Sequence, residues 1–403
     1  MKKPRVSILL SCITSLTLFL SACTAGSPAQ QSQTSAPATP AALPASGETA
    51  TPVPMQDQTA VILTSTPAPA TPTEPPAGGV SLGYSTGDQK SFDAVKAETA
   101  HLTMVSSDVF TIQTEGGVSG GDDLGVLAYD KEHGLRTFAC ISNFNSDPEV
   151  NDFDANLAHE ALFDHADDLI STLVALAQDD GYDGINIDFE NIAASENIED
   201  DRAAFTQFIH NLAAQLHENN LQLILSVPAK LEDSADNTWT YPYDLAAIGQ
   251  DVDYLQLMTY DEHGMWSEPG AVSGADWVEQ SIQYVVTLVD PSKILIGLPA
   301  YGYNWDMTAS DPENATYSAV SFPWTEISTL MDKPGAQIHW DDLTKSPSVS
   351  YTEDGHDHQA WYENAQSLGA KTALVKTYHL GGISVWSMGQ EDASFWQAVQ
   401  GGK

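Results

Sequence analysis

Near-continuous apolar runs of five to nine residues recur through the chain from Val80 onward, separated by longer stretches in which apolar residues return every three or four positions. The runs are VSLGY from Val80, LTMVSS from Leu102, LRTFACIS from Leu135, GINIDFE from Gly184, LQLILSV from Leu221, DYLQLMTY from Asp253, KILIGLPAY from Lys293 and GGISVWSM from Gly381. Runs of this kind are strands whose outer faces are covered by helices. Between the fourth and fifth, Phe205, Phe208, Ile209, Leu212 and Leu216 keep i, i+3, i+4, i+7 spacing, which predicts an amphipathic helix packed on the sheet. The acidic run from Glu199 suits the first turn of that helix, where carboxylates meet the positive end of the dipole. Eight alternating units predict an α/β fold, a closed (β/α)8 TIM barrel. The stretch from Asp306 to about Tyr362 is too long for a simple connection. SVSYTE and HQAWYE within it read as a β-hairpin, so a small α+β insertion is expected between strands 7 and 8.

The pattern is different before Gly79. Lys2, Lys3 and Arg5 precede an apolar run from Val6 to Leu20, the arrangement of an export signal and too short to span a membrane. The following Leu20-Ser21-Ala22-Cys23 resembles the lipobox of bacterial lipoproteins, which implies a signal peptide over 1–22 and a lipidated Cys23. Residues 24–78 are Pro, Ala, Thr and Ser with three acidic residues and no Lys or Arg, a composition that cannot bury a core. Extended at ~3.1 Å per residue, this tether reaches on the order of 170 Å. The expected organisation is therefore leader 1–22, anchor and linker 23–78, and one barrel over 79–403 with its insertion at about 306–362.

Of the 55 acidic residues three lie in the tether, and of the 15 basic residues three lie in the leader, which leaves the barrel 52 against 12, a net charge of −40. Nucleic acid and anionic membrane surfaces are poor partners for such a domain, so membrane contact is expected through the lipid alone. Cys12 goes with the leader and Cys23 is the anchor, which leaves Cys140 without a disulfide partner, as a small buried apolar residue. Neither cofactor nor metal is expected, and a monomer is. His356 and His358 invite a metal reading, but as residues of an acidic hairpin they fit a solvated turn.

The informative chemistry lies in GYDGINIDFENI from Gly181, where acidic residues interrupt an Ile-rich strand. Alternation sends Asn186, Asp188 and Glu190 to one face and Ile185, Ile187 and Phe189 to the other. The polar set faces the barrel axis, with Glu190 highest, at the C-terminal end where barrel enzymes keep their sites. Two adjacent carboxylates in a partly desolvated site do not both ionise easily, so one becomes an acid near neutral pH. An inward ion-pair network is the structural alternative, and a domain with few bases has little to build it from.

This segment resembles the DxxDxDxE signature of glycoside hydrolase family 18, the chitinase-like barrels. Asp183, Asp188 and Glu190 match its first, third and fourth positions, and Asn186 replaces the usual second aspartate. LMTYDEHG from Leu257, KILIGLPAYGYNW from Lys293 and GGISVWSMG from Gly381 are similar to the family's sixth, seventh and eighth strand ends. Asn186, the DEHG run and HQAWYENA are most similar to the branch of spore cortex-lytic peptidoglycan N-acetylglucosaminidases.

The resemblance implies a retaining hydrolase acting beside an N-acetylglucosamine in peptidoglycan or chitin-type glycans, with the substrate's acetamido group as nucleophile. Glu190 is then the acid, Asp188 orients the acetamido group, Tyr260 hydrogen-bonds its oxygen and Trp386 is the floor beneath the sugar. Asp183 and Asn186 are carried over as binding positions, and Tyr84, Asn143 and Tyr301 are wall candidates because each ends a strand. As Asn186 cannot share a proton, Asp188 is expected to stay ionised, held by hydrogen bonds. Two other classes fit parts of the pattern. A lectin-like surface protein on the same fold would have lost the acid, which is present here; the binding component of a sugar importer needs two lobes, of which the strand order shows no sign.

Overall fold

The computed structural model describes residues 79–314 and 316–402, so the leader, Cys23 and the tether lie outside the described residues. Eight parallel strands close into a barrel: β1 Val80–Ser85, β2 Met104–Ile112, β3 Arg136–Ser142, β4 Gly184–Asp188, β5 Gln222–Pro228, β6 Tyr254–Met258, β7 Ile294–Pro299 and β8 Gly382–Trp386. Each pairs with the next, and β8 pairs back onto β1 with Val80 beside Gly382, so no barrel strand keeps an open edge. This is the (β/α)8 barrel that the apolar runs predicted. Strand β2 runs farther than its apolar residues suggest: past a bulge between Asp108 and Phe110 it turns back into a short antiparallel strand at Val118–Gly120.

Alternation along the strands builds two cores. Leu82, Tyr84, Met104, Phe138, Cys140, Ile224, Tyr254 and Leu295 point inward and fill the barrel, while Ile185, Ile187, Leu223, Leu225, Leu255 and Leu257 point outward into a larger core under the helices. The helix at Ile198–Glu218 covers β4 and β5, burying Phe205, Phe208, Ile209, Leu212 and Leu216 as its spacing required. Each such side chain contributes roughly 1.5–3 kcal/mol of burial. Glu199, Asp200 and Asp201 occupy its first turn.

Between β7 and β8 stands a five-stranded antiparallel sheet. It begins at Tyr301, not at Asp306: β7 ends at Pro299 and Tyr301–Asp306 is already the sheet's first strand, with Tyr303 opposite Ser321 and Trp361. Tyr301, Tyr303 and Trp305 are buried on one face of this strand, in a cluster with Val272. Ser346–Glu353 and His356–Trp361 form a hairpin whose turn residues Asp354 and Gly355 have φ of 52° and 87°, the two positive values that a tight right-twisted turn demands. His356 pairs with Asp306 at 2.7 Å and His358 stacks on Tyr351, so both histidines serve the sheet.

One glycine links the barrel to the chemistry above it. A Cβ on Gly297 of β7 would lie 2.6 Å from the Tyr260 ring and 2.7 Å from the Leu257 carbonyl oxygen. Gly297→Ala is expected to lower stability by about 1–3 kcal/mol in urea unfolding, through overpacking. Turnover should fall with it, because the ring displaced is Tyr260; equal turnover and an unchanged midpoint would show that this space is not needed.

Candidate active site

The top of β4 holds three polar residues in different environments. Asn186 is fully buried and its amide is saturated: its oxygen accepts from the Tyr84 hydroxyl (2.9 Å) and the Ser106 hydroxyl (3.0 Å), and its nitrogen donates to Ser226 Oγ (3.0 Å) and the Ile187 carbonyl (3.1 Å). Tyr84, 1 % exposed, is thereby a support under the site and does not form its wall. Asp183 sits at the other end of β4. Its carboxylate accepts from the Thr137 backbone N–H and hydroxyl (2.8 and 3.1 Å), tying the starts of β3 and β4 together, and the structure does not bring it to the cleft.

Asp188 is 7 % exposed, and its Oδ1 is buried with no hydrogen-bond partner among the described residues. Burial, and then the Asp108 carboxylate nearby, lift its pKa to about 7 against the opposing hydrogen bond from Ser226. Asp188 was expected to stay ionised under hydrogen bonds; the Ser226 bond acts in that direction, while desolvation and the like charge of Asp108 act against it.

Glu190 lies just past the strand and is held by its backbone. The Asn143 side chain donates to the Glu190 carbonyl (2.7 Å) and accepts from its N–H (2.9 Å), extending the β3–β4 ladder by one side-chain rung. On the other flank the Tyr243 hydroxyl donates to the Phe189 carbonyl at 2.6 Å. Asn191, with φ 51°, turns the chain away and donates to the Phe153 carbonyl at 3.1 Å. Asn143 is thus a buried clamp on the acid, and its position at a strand end gave no sign of that. Burial first, then the charges of Asp188, Asp261, Asp108 and Asp152, hold the Glu190 carboxyl well above the ordinary glutamate range, the direction a proton donor needs.

Tyr260 and Asp261 follow β6. Burial, with Asp188 and Glu190 beside it, keeps the Tyr260 phenol protonated as a donor. Asp261, at φ 62°, accepts from the hydroxyls of Tyr301 (2.7 Å) and Tyr303 (3.0 Å) on one oxygen. Tyr301 accordingly braces Asp261 and joins the inserted sheet to the barrel. Trp386 ends β8 with its ring 5.4 Å from that of Tyr84, and the Trp386–Ser387 peptide is cis.

Asp188, Glu190, Tyr260 and Trp386 line one cleft of about 990 Å³. Phe144, Phe153, Trp239, Trp266 and Trp277 add aromatic walls, and Asp108, Asp152, Asp261 and Glu262 add further carboxyls. Trp239 and Trp266 stand 45 % and 59 % exposed, flat apolar faces at the rim of the kind on which sugar rings stack. Among the described residues, no Lys, Arg or His lines the cleft. Asp108 escaped the sequence reading because the second apolar run was ended at Ser107; the signal was the alternation Met104, Ser106, Asp108 continuing beyond it. Asp261 was visible within the DEHG run without any cue to its role.

Residues 104–391 match the model of Glycosyl hydrolases family 18. The chain is 35 % identical over 332 residues to an uncharacterized glycosylase, YvbX, of Bacillus subtilis, covering 82 % of this chain and 93 % of that one. It is 29 % identical to a cortical fragment-lytic enzyme of Bacillus subtilis over 57 % of this chain, and spans about half (51 %) of that protein. Among solved structures, a chitinase from Chromobacterium violaceum superposes with a TM-score of 0.74 at 34 % identity, covering 80 % of this chain and 98 % of the other.

Asn143→Ala removes both bonds to the Glu190 backbone, at about 1–3 kcal/mol for the groups left unpaired. Glycosidase turnover is expected to drop by roughly tenfold or more with KM little changed, since the loss falls on the placement of Glu190. An unchanged kcat would mean that Glu190 is fixed by its other supports.

Proposed function

The chain belongs to glycosyl hydrolase family 18, and from that premise we propose that this glycoside hydrolase cleaves β-linked N-acetylglucosamine-containing glycans of the peptidoglycan or chitin type, with retention and with the substrate's acetamido group as nucleophile. The observation that carries the reading is that Glu190, its carboxyl raised in pKa by burial, shares one cleft with the unpartnered, buried Asp188 Oδ1. An open acceptor in a desolvated site calls for a donor from the ligand, and an acetamido N–H beside the scissile bond is such a donor.

In this mechanism the sugar stacks on Trp386 and its acetamido N–H donates to Asp188, which turns the carbonyl oxygen toward the anomeric carbon. Glu190 gives its proton to the glycosidic oxygen as that bond breaks, and the acetamido oxygen forms the new bond to carbon, producing an oxazolinium ion. The Tyr260 hydroxyl donates to the acetamido oxygen, and ionised Asp188 offsets the positive charge that develops on the ring. Glu190, now a carboxylate, takes a proton from water as the water attacks, and the second inversion restores the starting configuration. No second carboxylate nucleophile is required, in contrast to glycosidases in which two carboxyls divide the work.

The nature of the relatives supports both glycan classes, one being named for chitin and another for cortical fragments. A catalytically silent lectin-like reading has nothing to favour it, because the acid, its neighbour and the phenol all line the cleft. The proposal extends to the cell surface: residues 1–22 are read as an export leader, Cys23 as the lipidated residue and 24–78 as the tether, on the composition and lipobox-like pattern of that segment.

Mass spectrometry of products from peptidoglycan and from chitin oligosaccharides, each incubated with wild type and with Glu190→Gln, tests the reading. Wild type should release fragments ending in N-acetylglucosamine, and Glu190→Gln should be slower by about 10²–10⁴-fold. Equal release by the variant would remove Glu190 from the chemistry.

A further inference from the structure

Asn186 stands where a carboxyl would share a proton with Asp188 from within β4, yet the barrel supplies a carboxyl from another strand. Residues Ser106 and Asp108 of β2 are two apart on the inward face, as Asn186 and Asp188 are on β4. The lower pair is in contact: Ser106 Oγ donates to Asn186 Oδ1 at 3.0 Å. Ladder register levels Asp108 with Cys140 and Asn186, and Ser142 with Asp188, but the Ser106–Asn186 bond shows that inward side chains of β2 reach one step up β4, and the same diagonal carries Asp108 toward Asp188. The bulge that follows Asp108 ends the regular pairing there, and both carboxyls line the cleft.

We infer that Asp108 is the positioning residue for Asp188: one proton is held between the two carboxyls, and it stays on Asp108 when an acetamido N–H engages Asp188. This rests on the substrate-assisted reading. The groups facing the pair leave it no other means of neutralisation. Tyr84 of β1, the Cys140 thiol of β3, Glu190 after β4, Ser226 of β5, and Tyr260 and Asp261 after β6 are acids or hydroxyls, as is Asp152 from the β3–β4 connection. None is a cation, and two close carboxyls without a cation retain a proton. Burial lifts Asp108 to about 6, opposed by a hydrogen bond from Cys140, and the charge of Asp108 in turn raises Asp188. The arrangement places a deprotonated Asp188 under the sugar while the charge of its neighbour is quenched.

The test is a ¹³C NMR titration of aspartate carboxyls in the full-length protein, for wild type, Asp108→Asn and Asp188→Asn, alongside kcat/KM against pH on a chitin oligosaccharide. In wild type the two carboxyls should titrate together in two steps. In Asp108→Asn the like charge is gone, so Asp188 should titrate about one pH unit or more lower. The acid limb of kcat/KM, which reports ionisation of Asp188, should move to lower pH with it. In Asp188→Asn the Asp108 step should fall correspondingly, which keeps the test available if one variant does not fold. Steps that stay where they are in both variants, while wild type still cleaves, overturn the inference alone. Shifted steps in a protein that cleaves no glycan uphold the pair and count against the functional reading instead.

Discussion

Several carboxyl groups converge at the top of this barrel, and among the described residues that line the cleft there is no cation. In water each would ionise independently; in a partly desolvated cleft they cannot, because each added negative charge is opposed by both burial and its neighbours. The result is a graded set, with Glu190 raised well above the ordinary glutamate range, Asp108 and Asp188 raised to about 6 and about 7, and Asp261 raised but tempered by two phenols. Carboxyls of different acidity thus stand side by side in one cleft, each set by its own burial and neighbours.

The supports are mostly backbone. Asn143 and Tyr243 seize the carbonyl and N–H groups around Glu190, so the acid is placed without its carboxyl being used. Asn186, Tyr84, Ser106 and Ser226 form a closed polar layer beneath Asp188, each satisfied by another, which leaves Asp188 as the first group with capacity to spare. The inserted sheet joins the same arrangement through Tyr301 and Tyr303, whose hydroxyls meet on Asp261 next to Tyr260. A change in how that sheet packs would be felt at the phenol and at the charge on Asp261 together.

The barrel was legible because its strands are buried on both faces and their apolar runs are long; the helix over β4 and β5 was legible because Phe205 to Leu216 keep one face. Asp188 and Glu190 stood out as acids inside an Ile-rich strand. What the sequence concealed were relations across strands. Asn143 and Tyr84 end strands much as Trp386 does, yet they serve the acid's backbone and the layer beneath Asp188, and only pairing between distant segments decides that. Asp183 fits the signature by spacing but lies at the foot of β4, where its partner is Thr137 of the adjacent strand. Asp108 was hidden because an acid is unexpected inside a strand and no apolar run surrounds it, and its importance appears only once β2 and β4 share a barrel interior. Tyr301 was assigned to the seventh strand because the aromatic alternation of the inserted sheet follows it without a break.

The stereochemistry of the first product tests the central claim most directly. Proton NMR of the anomeric region, recorded in the opening minutes of hydrolysis of a chitin oligosaccharide before mutarotation, should show the β-anomer at the newly formed reducing end, and its de-N-acetylated counterpart should not be cleaved. An initial α-anomer, or equal cleavage of a substrate without the acetamido carbonyl, would contradict substrate-assisted retention.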